Sequence, residues 1–145
     1  MVDYGGIIMA KEKMAETNDA IGIARAAYEA YVSKDRAAIE KLIADDFHFT
    51  SPLDNRIDRA RYFARCWPNS AWIKNFDYIN LVPDGDRVFV TYEAQSSKGN
   101  SFRNTEILTV RNGRIIEVEV YFGWGIPHKA EPGSFLPDND PATSS

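Results

Sequence analysis

The segment "NTEILTVRNGRIIEVEVYFG", residues 104–123, contains two strand-like runs on either side of a hairpin signal. Both runs are rich in Val, Ile, Thr and Tyr, which favour strands, and the "RNG" between them is typical of a tight turn. The first of these runs begins at residue 101, and one earlier run, residues 78–95, has the same character and is joined to it by "SSKGN" at 96–100. The "DGD" turn at 84–86 divides the run 78–95 into two strands. The second half of the chain therefore predicts a series of antiparallel strands.

The first half of the chain shows helical spacing instead. Residues 1–16 lack sustained periodicity and are predicted to be a flexible N-terminal arm, and Asn18 and Asp19 can cap the helix that follows. Between residues 20 and 35, one apolar helical face is formed by Ile21, Ala24, Tyr28 and Tyr31. Asp35 is expected to cap a second, shorter helix. These features predict two helices paired as a hairpin.

A short strand and a third helix connect the two halves. The alternating run "FHFTSP" (47–52) ends at a proline and predicts a strand, "LDNRID" (53–58) is a polar turn region, and "RARYFARCW" (59–67) predicts a helix that Pro68 terminates. The predicted class is α+β, with a helical hairpin and a third helix packed on a strongly curved, mainly antiparallel sheet. A cavity between these layers is a usual place for a small-molecule site. Residues 127–145, which contain proline, glycine and serine, are predicted to be a C-terminal tail.

Composition excludes several function classes. The 145 residues fit one domain, and a net charge of −4 with a pI of about 5.2 argues against a nucleic-acid partner. A single cysteine excludes an internal disulfide and a multi-cysteine metal site. No apolar run approaches the length of a membrane span, and the N-terminus does not have the pattern of a secretory signal. We therefore expect no membrane partner and a cytoplasmic location.

With the front segment "AAYEAYVSKDRAAIEKLIADDFHFTSP" (26–52) and the strands of 104–123, the chain resembles the SnoaL-like, or nuclear transport factor-like, superfamily. That group also contains ketosteroid isomerase, limonene epoxide hydrolase and the polyketide cyclases. The resemblance covers residues 17–126 and implies a cystatin-like, cone-shaped α+β barrel that forms a homodimer. It implies a small hydrophobic ligand, with no metal or organic cofactor.

Two functions are compatible with this resemblance, because one fold hosts many activities. The first is a proton-transfer enzyme, of isomerase, cyclase or dehydratase type, that acts on a hydrophobic cyclic substrate. The second is a non-catalytic ligand-binding or dimerisation module. For the module, the outward faces of the last strands, with Glu117, Glu119 and Tyr121, resemble the dimerisation surface of the superfamily, and they are equally compatible with a solvated face.

The catalytic residues of the known enzymes map poorly onto this chain. The general-base aspartate of the isomerase corresponds to Ser51, and its oxyanion tyrosine to Ala27, with the neighbouring Tyr28 expected to face elsewhere. The hydrogen-bond-donating aspartate of the isomerase corresponds to Glu106, the one match in kind. The water-activating residues of the epoxide hydrolase correspond to Tyr92, Ala94 and Val120. The known chemistry of neither enzyme is therefore expected here unchanged.

The turn in the last hairpin decides which residues converge. A type I turn with a G1 bulge at Gly113 would pair Glu106 with Val118 and place Asn104 near Val120, with these four residues and Phe122 on the concave face. A plain two-residue turn would shift the pairing by one residue and place Glu106 beside Glu119. Both alternatives are compatible with the sequence.

With the bulged pairing, an apolar pocket is predicted with the walls Phe49, Tyr62, Trp67, Val118, Val120 and Phe122. Its polar members are predicted to be Ser51, Tyr92, Asn104 and Glu106. Glu106 is the expected acid or base, because an apolar surrounding raises the pKa of a carboxyl group; the alternative is a structural pair with Arg103, Arg61 or a backbone amide. Ser51 and Asn104 are the other candidate catalytic residues, and Tyr92 is a candidate ligand contact.

Three more residues are weighed as candidates. His48 titrates near neutral pH and could contact a ligand, yet it is flanked by Phe47 and Phe49 and would point outward if they point inward. Asp54 either reaches the cavity mouth or caps a turn. Cys66 is expected in the core, because no neighbouring group favours its thiolate.

Overall fold

The structure, a computed structural model, describes residues 4–138, with side chains from residue 19 onward. The helices are α1 (Tyr4–Ser33), α2 (Arg36–Leu42) and α3 (Arg59–Arg65), with a 3₁₀ helix at Trp67–Trp72. The strands are β1 (Ile43–Ser51), β2 (Asp54–Asp58), β3 (Ile73–Asp84), β4 (Arg87–Ser96), β5 (Ser101–Arg111) and β6 (Arg114–Ile126). None of the helices in this part of the chain is long and apolar enough to span a membrane.

The six strands form one curved sheet with the order β2-β1-β6-β5-β4-β3. All neighbouring strands are antiparallel except β1 and β6, which run parallel. Helix α1 packs across β3, β4 and β5, and α2 and α3 pack against β1. The predicted α+β class, with three helices on a curved and mainly antiparallel sheet, is confirmed.

The β5–β6 hairpin follows neither of the two expected pairings. Its turn has two residues, Asn112 and Gly113, with φ of 52° and 77°, as in the type I′ turns that suit the twist of a hairpin. One extra residue, Ile116, then bulges out of β6, since Val110 lies opposite Ile115 but the next pair skips a residue on β6. Because of this bulge, the side chains of β6 beyond Ile116 lie on the faces of the sheet that were predicted for them.

As a result, Glu106 lies opposite Val120 and Asn104 opposite Phe122, whereas the predicted partners were Val118 and Val120. The predicted partners are wrong by two residues, but a shift of two residues keeps every side chain on its predicted face. The concave face therefore carries the five residues that were expected there.

Three boundaries in the first half also differ from prediction. Helix α1 begins at Tyr4, so Asn18 lies inside it and residues 4–16, expected as a flexible arm, are helical. The polar stretch at 53–58 contains strand β2, because β1 offers it an antiparallel partner that the sequence pattern does not reveal. Helix α3 ends at Arg65, and Pro68 lies in the first turn of the 3₁₀ helix that follows.

Aspartate caps determine where the two short helices begin. The Asp35 side chain accepts a hydrogen bond from Ala38 N at 3.1 Å, which confirms the predicted cap of α2. Asp58 does the same for α3, accepting from Arg61 N at 2.9 Å. Such caps satisfy backbone donors that the first turn leaves unpaired. The start of α3 matters for function, because this helix presents Tyr62 to the interior.

The apolar core lies between the helices and the concave face of the sheet. Its largest fully buried side chains are Phe47, Ile39, Ile43, Ile115, Val88 and Val90. Along α1 the buried face includes Ala24 and Tyr28, in agreement with the predicted helical stripe. The core fills one end of this space, and the remainder is open.

Gly123 occupies a position in β6 where a side chain has no room. A Cβ atom there would lie 2.3 Å from the Arg103 carbonyl oxygen, beside an irregularity in the β5–β6 pairing. We expect Gly123→Ala to lower the free energy of unfolding by about 1–3 kcal/mol, the usual cost of overpacking. Urea denaturation would measure this change.

Gly125→Ala is the matched control on the same strand. Its Cβ would lie 4.0 Å from the nearest atom, the Ser101 carbonyl oxygen, which is ordinary contact. We expect a change within about 0.5 kcal/mol for this variant. Equal losses from both alanines would contradict the steric argument.

Candidate active site

A cavity of about 430 Å³ opens between the helices and the concave face of the sheet. This volume is within the range of small-molecule sites. Helix α1 contributes Tyr28 and Tyr31, helix α3 contributes Tyr62 and Arg65, and the sheet supplies most of the other lining residues. The wall is largely apolar and aromatic.

Ten of the twelve residues predicted for the site line this cavity: Phe49, Ser51, Asp54, Tyr62, Tyr92, Asn104, Glu106, Val118, Val120 and Phe122. The other two, His48 and Trp67, do not. Strand alternation explains most of this agreement, because the residues of β1, β5 and β6 with one parity share the concave face.

His48 lies on the opposite face of β1 from Phe47 and Phe49. Its Nδ1 is 3.3 Å from a guanidinium nitrogen of Arg56, and Arg56 also pairs with Glu117 at 2.8 Å. The inclusion of His48 among ligand contacts is therefore not supported by its position. The expectation that it points outward agrees with the structure.

Trp67 lies just beyond the end of α3, where the helical phase used for its prediction no longer holds. Its ring packs edge-on against Tyr31, with the ring centroids 4.9 Å apart, and it is 9% exposed. Trp67 therefore packs against Tyr31 and does not itself line the cavity. Tyr31 supplies the aromatic wall that was expected from Trp67.

Glu106 projects from β5 into the deep end of the cavity. Burial raises the pKa of its carboxyl group from 4.5 to about 7, and the hydroxyl groups of Tyr92 and Tyr28 offset part of this rise. Among the described residues it has no ion-pair partner; Arg103, one proposed partner, instead approaches Glu93 at 3.6 Å. A carboxyl group held this way is half ionised near neutral pH.

Asn104 and Tyr92 form a hydrogen-bonded chain that ends at this carboxyl group. The Gly123 backbone N–H donates to Asn104 Oδ1 at 3.2 Å, and Asn104 Nδ2 donates to Tyr92 Oη at 3.3 Å. Because Tyr92 Oη already accepts one hydrogen bond, its own proton is available to Glu106. The chain therefore aims a donor at the carboxyl group.

Tyr28 presents a second hydroxyl group to the same place. Its ring is fixed by edge-on contacts with Phe76 and Tyr92, at centroid distances of 5.0 and 5.6 Å. Its Oη is buried and has no hydrogen-bond partner in the described structure. Burial first, and then the charge of Glu106, raises the pKa of Tyr28. An unsatisfied buried hydroxyl group in a cavity wall is a natural ligand contact.

The position of Tyr28 corrects an expectation. It was expected to face away from the site, because the tyrosine of the isomerase corresponds to Ala27. The available signal was its place on the same helical face as Ala24 and Tyr31. From that position the Tyr28 side chain lines the same cavity as Glu106.

A second polar cluster lies at the cavity mouth. Ser51 Oγ donates to Asp54 Oδ2 at 2.7 Å and accepts from Leu53 N at 3.0 Å. Arg65 Nε donates to the other carboxylate oxygen of Asp54. Asp54 is only 9% exposed at its side chain, whereas Arg65 is 54% exposed. Asp54 therefore fits both alternatives. It lines the cavity mouth, and its hydrogen bond with Ser51 spans the turn between β1 and β2. Arg65 was missed by the sequence analysis.

Cys66 lines the cavity between these two clusters. Burial, and then the Asp54 carboxylate, raises the pKa of its thiol to about 11, so the thiol is protonated near neutral pH. Within residues 4–138, no three His, Cys, Asp or Glu side chains converge to hold a metal ion. The functional groups of the cavity are thus two carboxyl groups, several phenols, two amides, a serine hydroxyl group, a protonated thiol and one guanidinium.

Comparisons with known proteins agree with this architecture. The model of the SnoaL-like domain family matches residues 24–118. No curated protein matches the chain. Of the solved structures, an LEH-like epoxide hydrolase from M. tuberculosis is 21% identical, with a TM-score of 0.62 over 74% of this chain and 85% of that one.

Two further structures are similarly close. A candidate ketosteroid isomerase from Kribbella flavida is 16% identical, with a TM-score of 0.64 over 86% of this chain and 94% of that one. An NTF2-like protein of unknown function from Mesorhizobium loti is 23% identical, with a TM-score of 0.61 over 74% and 93% of the respective chains. At these identities, the likeness shows a shared fold.

Proposed function

Because this chain belongs to the SnoaL-like domain family, we propose that it is a cofactor-independent proton-transfer enzyme acting on a small hydrophobic cyclic carbonyl compound. The observation that carries the proposal is the deep end of the cavity. There a buried carboxyl group, Glu106, is faced by two phenols, and one of them, Tyr28, has no partner in the protein.

The proposed reaction needs no group beyond this chain. The Glu106 carboxylate takes a proton from the carbon next to the substrate carbonyl; the C–H electron pair forms a C=C bond to the carbonyl carbon, and the carbonyl π pair moves onto oxygen to give an enolate. The Tyr28 hydroxyl group donates a hydrogen bond to that oxygen, where negative charge develops. The Glu106 carboxylic acid then returns the proton to the same carbon or to a conjugated one.

The surrounding residues suit these roles. With a pKa of about 7, Glu106 is present in both protonation states near neutral pH, as a group that takes and returns a proton must be. Asn104 donates to Tyr92, and the Tyr92 hydroxyl group favours the ionised form of the Glu106 carboxyl group. We assign Ser51 a positioning role at the mouth, because its hydroxyl group is engaged by Asp54.

The proposal is tested by deuterium incorporation. Small cyclic ketones, saturated and conjugated, are incubated with the protein in heavy water, and proton NMR records the loss of the signal next to the carbonyl group. We expect faster exchange than in buffer for at least one ring system. Binding of these ketones without any acceleration would favour the second function below.

Tyr28→Phe separates a catalytic role from a structural one. Removing one oxyanion donor costs other enzymes about 100-fold or more in rate, so we expect exchange to slow by at least about tenfold. The free energy of unfolding should stay the same or rise by up to about 1 kcal/mol, because no hydrogen bond within the protein is lost.

Tyr121→Phe is the matched control. The Tyr121 hydroxyl group donates to Glu119 at 2.8 Å on the outer side of the sheet, and its side chain is exposed. We expect exchange at the wild-type rate. A marked loss of stability in Tyr28→Phe, without a selective loss of exchange, would contradict the assigned role.

The alternative function is a non-catalytic ligand-binding or dimerisation module. It is favoured by large aromatic side chains that β6 leaves about half exposed: Tyr121, Phe122 and Trp124. Association through the outer face of the sheet would cover Tyr121, and we propose a homodimer for either function. Sedimentation velocity over a range of concentrations tests the dimer; a monomer at all concentrations would argue against it.

A further inference from the structure

The cavity has one cationic group, and that group lies at its mouth. Arg65 is the only lysine or arginine among the lining residues of the described chain. It comes from the last turn of α3, at the rim that Leu53 and Asn69 share. The deep end, by contrast, holds the carboxyl group of Glu106. A ligand that fills the cavity therefore contacts a guanidinium group at the mouth and a carboxyl group at the deep end.

Arg65 is held in place by a nearly buried anion. Asp54 is 9% exposed at its side chain, and Ser51 fixes one of its oxygens with a hydrogen bond of 2.7 Å. The other oxygen accepts the hydrogen bond from Arg65 Nε. A side chain oriented by a fixed partner loses less conformational entropy when it binds a ligand.

The contact with Asp54 uses only the Nε side of the guanidinium. The two terminal nitrogens, Nη1 and Nη2, have no hydrogen-bond partner among residues 4–138, and the side chain is half exposed. This free edge presents two parallel N–H groups, the geometry that binds a carboxylate in a bidentate manner. The Asn69 amide at the same rim can add another donor.

We infer that Arg65, clamped by Asp54, is a specificity-determining residue that binds a carboxylate group of the substrate at the cavity mouth. The inference rests on the proposed function for the position of the carbonyl end. It adds the substrate class: a cyclic carbonyl compound with an apolar middle and a carboxylate at the far end. The apolar middle would lie against the aromatic wall formed by Phe49 and Tyr62.

The probes are cyclohexanones that carry a free carboxylate at C4 on an alkyl tether of increasing length. Each is compared with its neutral methyl ester. Isothermal titration calorimetry gives Kd, and deuterium exchange gives kcat and KM. We expect the carboxylate with the best tether to bind wild-type protein at least about tenfold more tightly than its ester. The preference should shrink as salt concentration rises, because ionic attraction at a half-exposed site is screened.

Arg65→Met should remove the preference. We expect the Kd of the carboxylate to rise by about tenfold to a hundredfold while that of the ester changes less than about twofold. Arg65→Lys keeps the positive charge but not the two parallel N–H groups, so its affinity for the carboxylate should lie between those of Arg65→Met and wild type. Arg61→Met, on an exposed position of the same helix outside the cavity, is the control and should behave as wild type.

The two ideas fail in different ways. Equal affinity of wild-type protein for acids and esters, or an equal loss of both in Arg65→Met, would overturn the inference while leaving proton transfer intact. A preference for acids that depends on Arg65, without deuterium exchange on any probe, would support the inference as a binding specificity. The same result would contradict the proposed reaction. Thermal melting of each variant shows that it is folded.

Discussion

Glu106→Gln is expected to slow deuterium exchange by about a hundredfold or more, while the variant still binds the same ketones. Positioned general acids and bases contribute about 10²- to 10⁴-fold, and glutamine has the shape of the side chain but cannot take a proton. The Tyr92 hydroxyl group still finds an acceptor in the amide oxygen, and the Tyr28 hydroxyl group stays available to the ligand, so binding should change little. Exchange rates by NMR and Kd by calorimetry would measure the two effects.

Glu119→Gln is the matched control. Glu119 lies on β6 with its side chain toward the outer face, bonded to Tyr121, and its loss should leave exchange unchanged. For the wild-type protein, the kcat/KM of exchange should rise with pH through about 7, because the carboxylate form of Glu106 takes the proton. Equal rates for Glu106→Gln and wild type would remove Glu106 from the reaction.

The second large effect is on stability. Folding raises the pKa of Glu106 from 4.5 to about 7, so the folded protein binds this proton more tightly than the unfolded chain does. The associated stability is fully present below pH 4.5 and is lost as pH rises through about 7. A rise of this size corresponds to about 3 kcal/mol in the free energy of unfolding.

Comparison with Glu106→Gln isolates this contribution, because all other titrating groups are shared. We expect the stability of the variant relative to wild type to increase by about 3 kcal/mol between pH 4.5 and pH 8. Urea denaturation across that interval would measure it. A difference that stays constant with pH would mean that the Glu106 carboxyl group is not desolvated in the folded protein.

The strands of the second half could be predicted closely, because alternation and turn residues are local signals. The exact pairing in the last hairpin could not. Asn112 and Gly113 permit several turns, and the bulge at Ile116 lies beyond the turn, within β6. The face of the sheet on which Glu106 lies was nevertheless predictable. The turn and the bulge together move its partner by two residues, and a shift of two keeps each side chain on the same face.

The site was predictable where it lies on strands and less so where it lies on helices. His48 was expected to point outward from alternation alone. Tyr28 was misplaced because alignment to a known enzyme was given more weight than the helical stripe. Arg65 was missed since its role depends on Asp54, a residue eleven positions earlier that reaches it only through the turn into β2. No periodicity in the sequence encodes that contact.

The parallel pairing of β1 with β6 has a consequence for how the chain folds. Strand β1 pairs only with β2 and β6, so β1 and β2 join the rest of the sheet only through β6, the last strand. Contacts between such distant segments are slow to form, since loop closure precedes any gain from pairing. During synthesis, β1 and β2 must therefore wait for residues 114–126 to leave the ribosome before they can join the sheet. In that interval the edge of β1 is open to chaperones and to wrong partners.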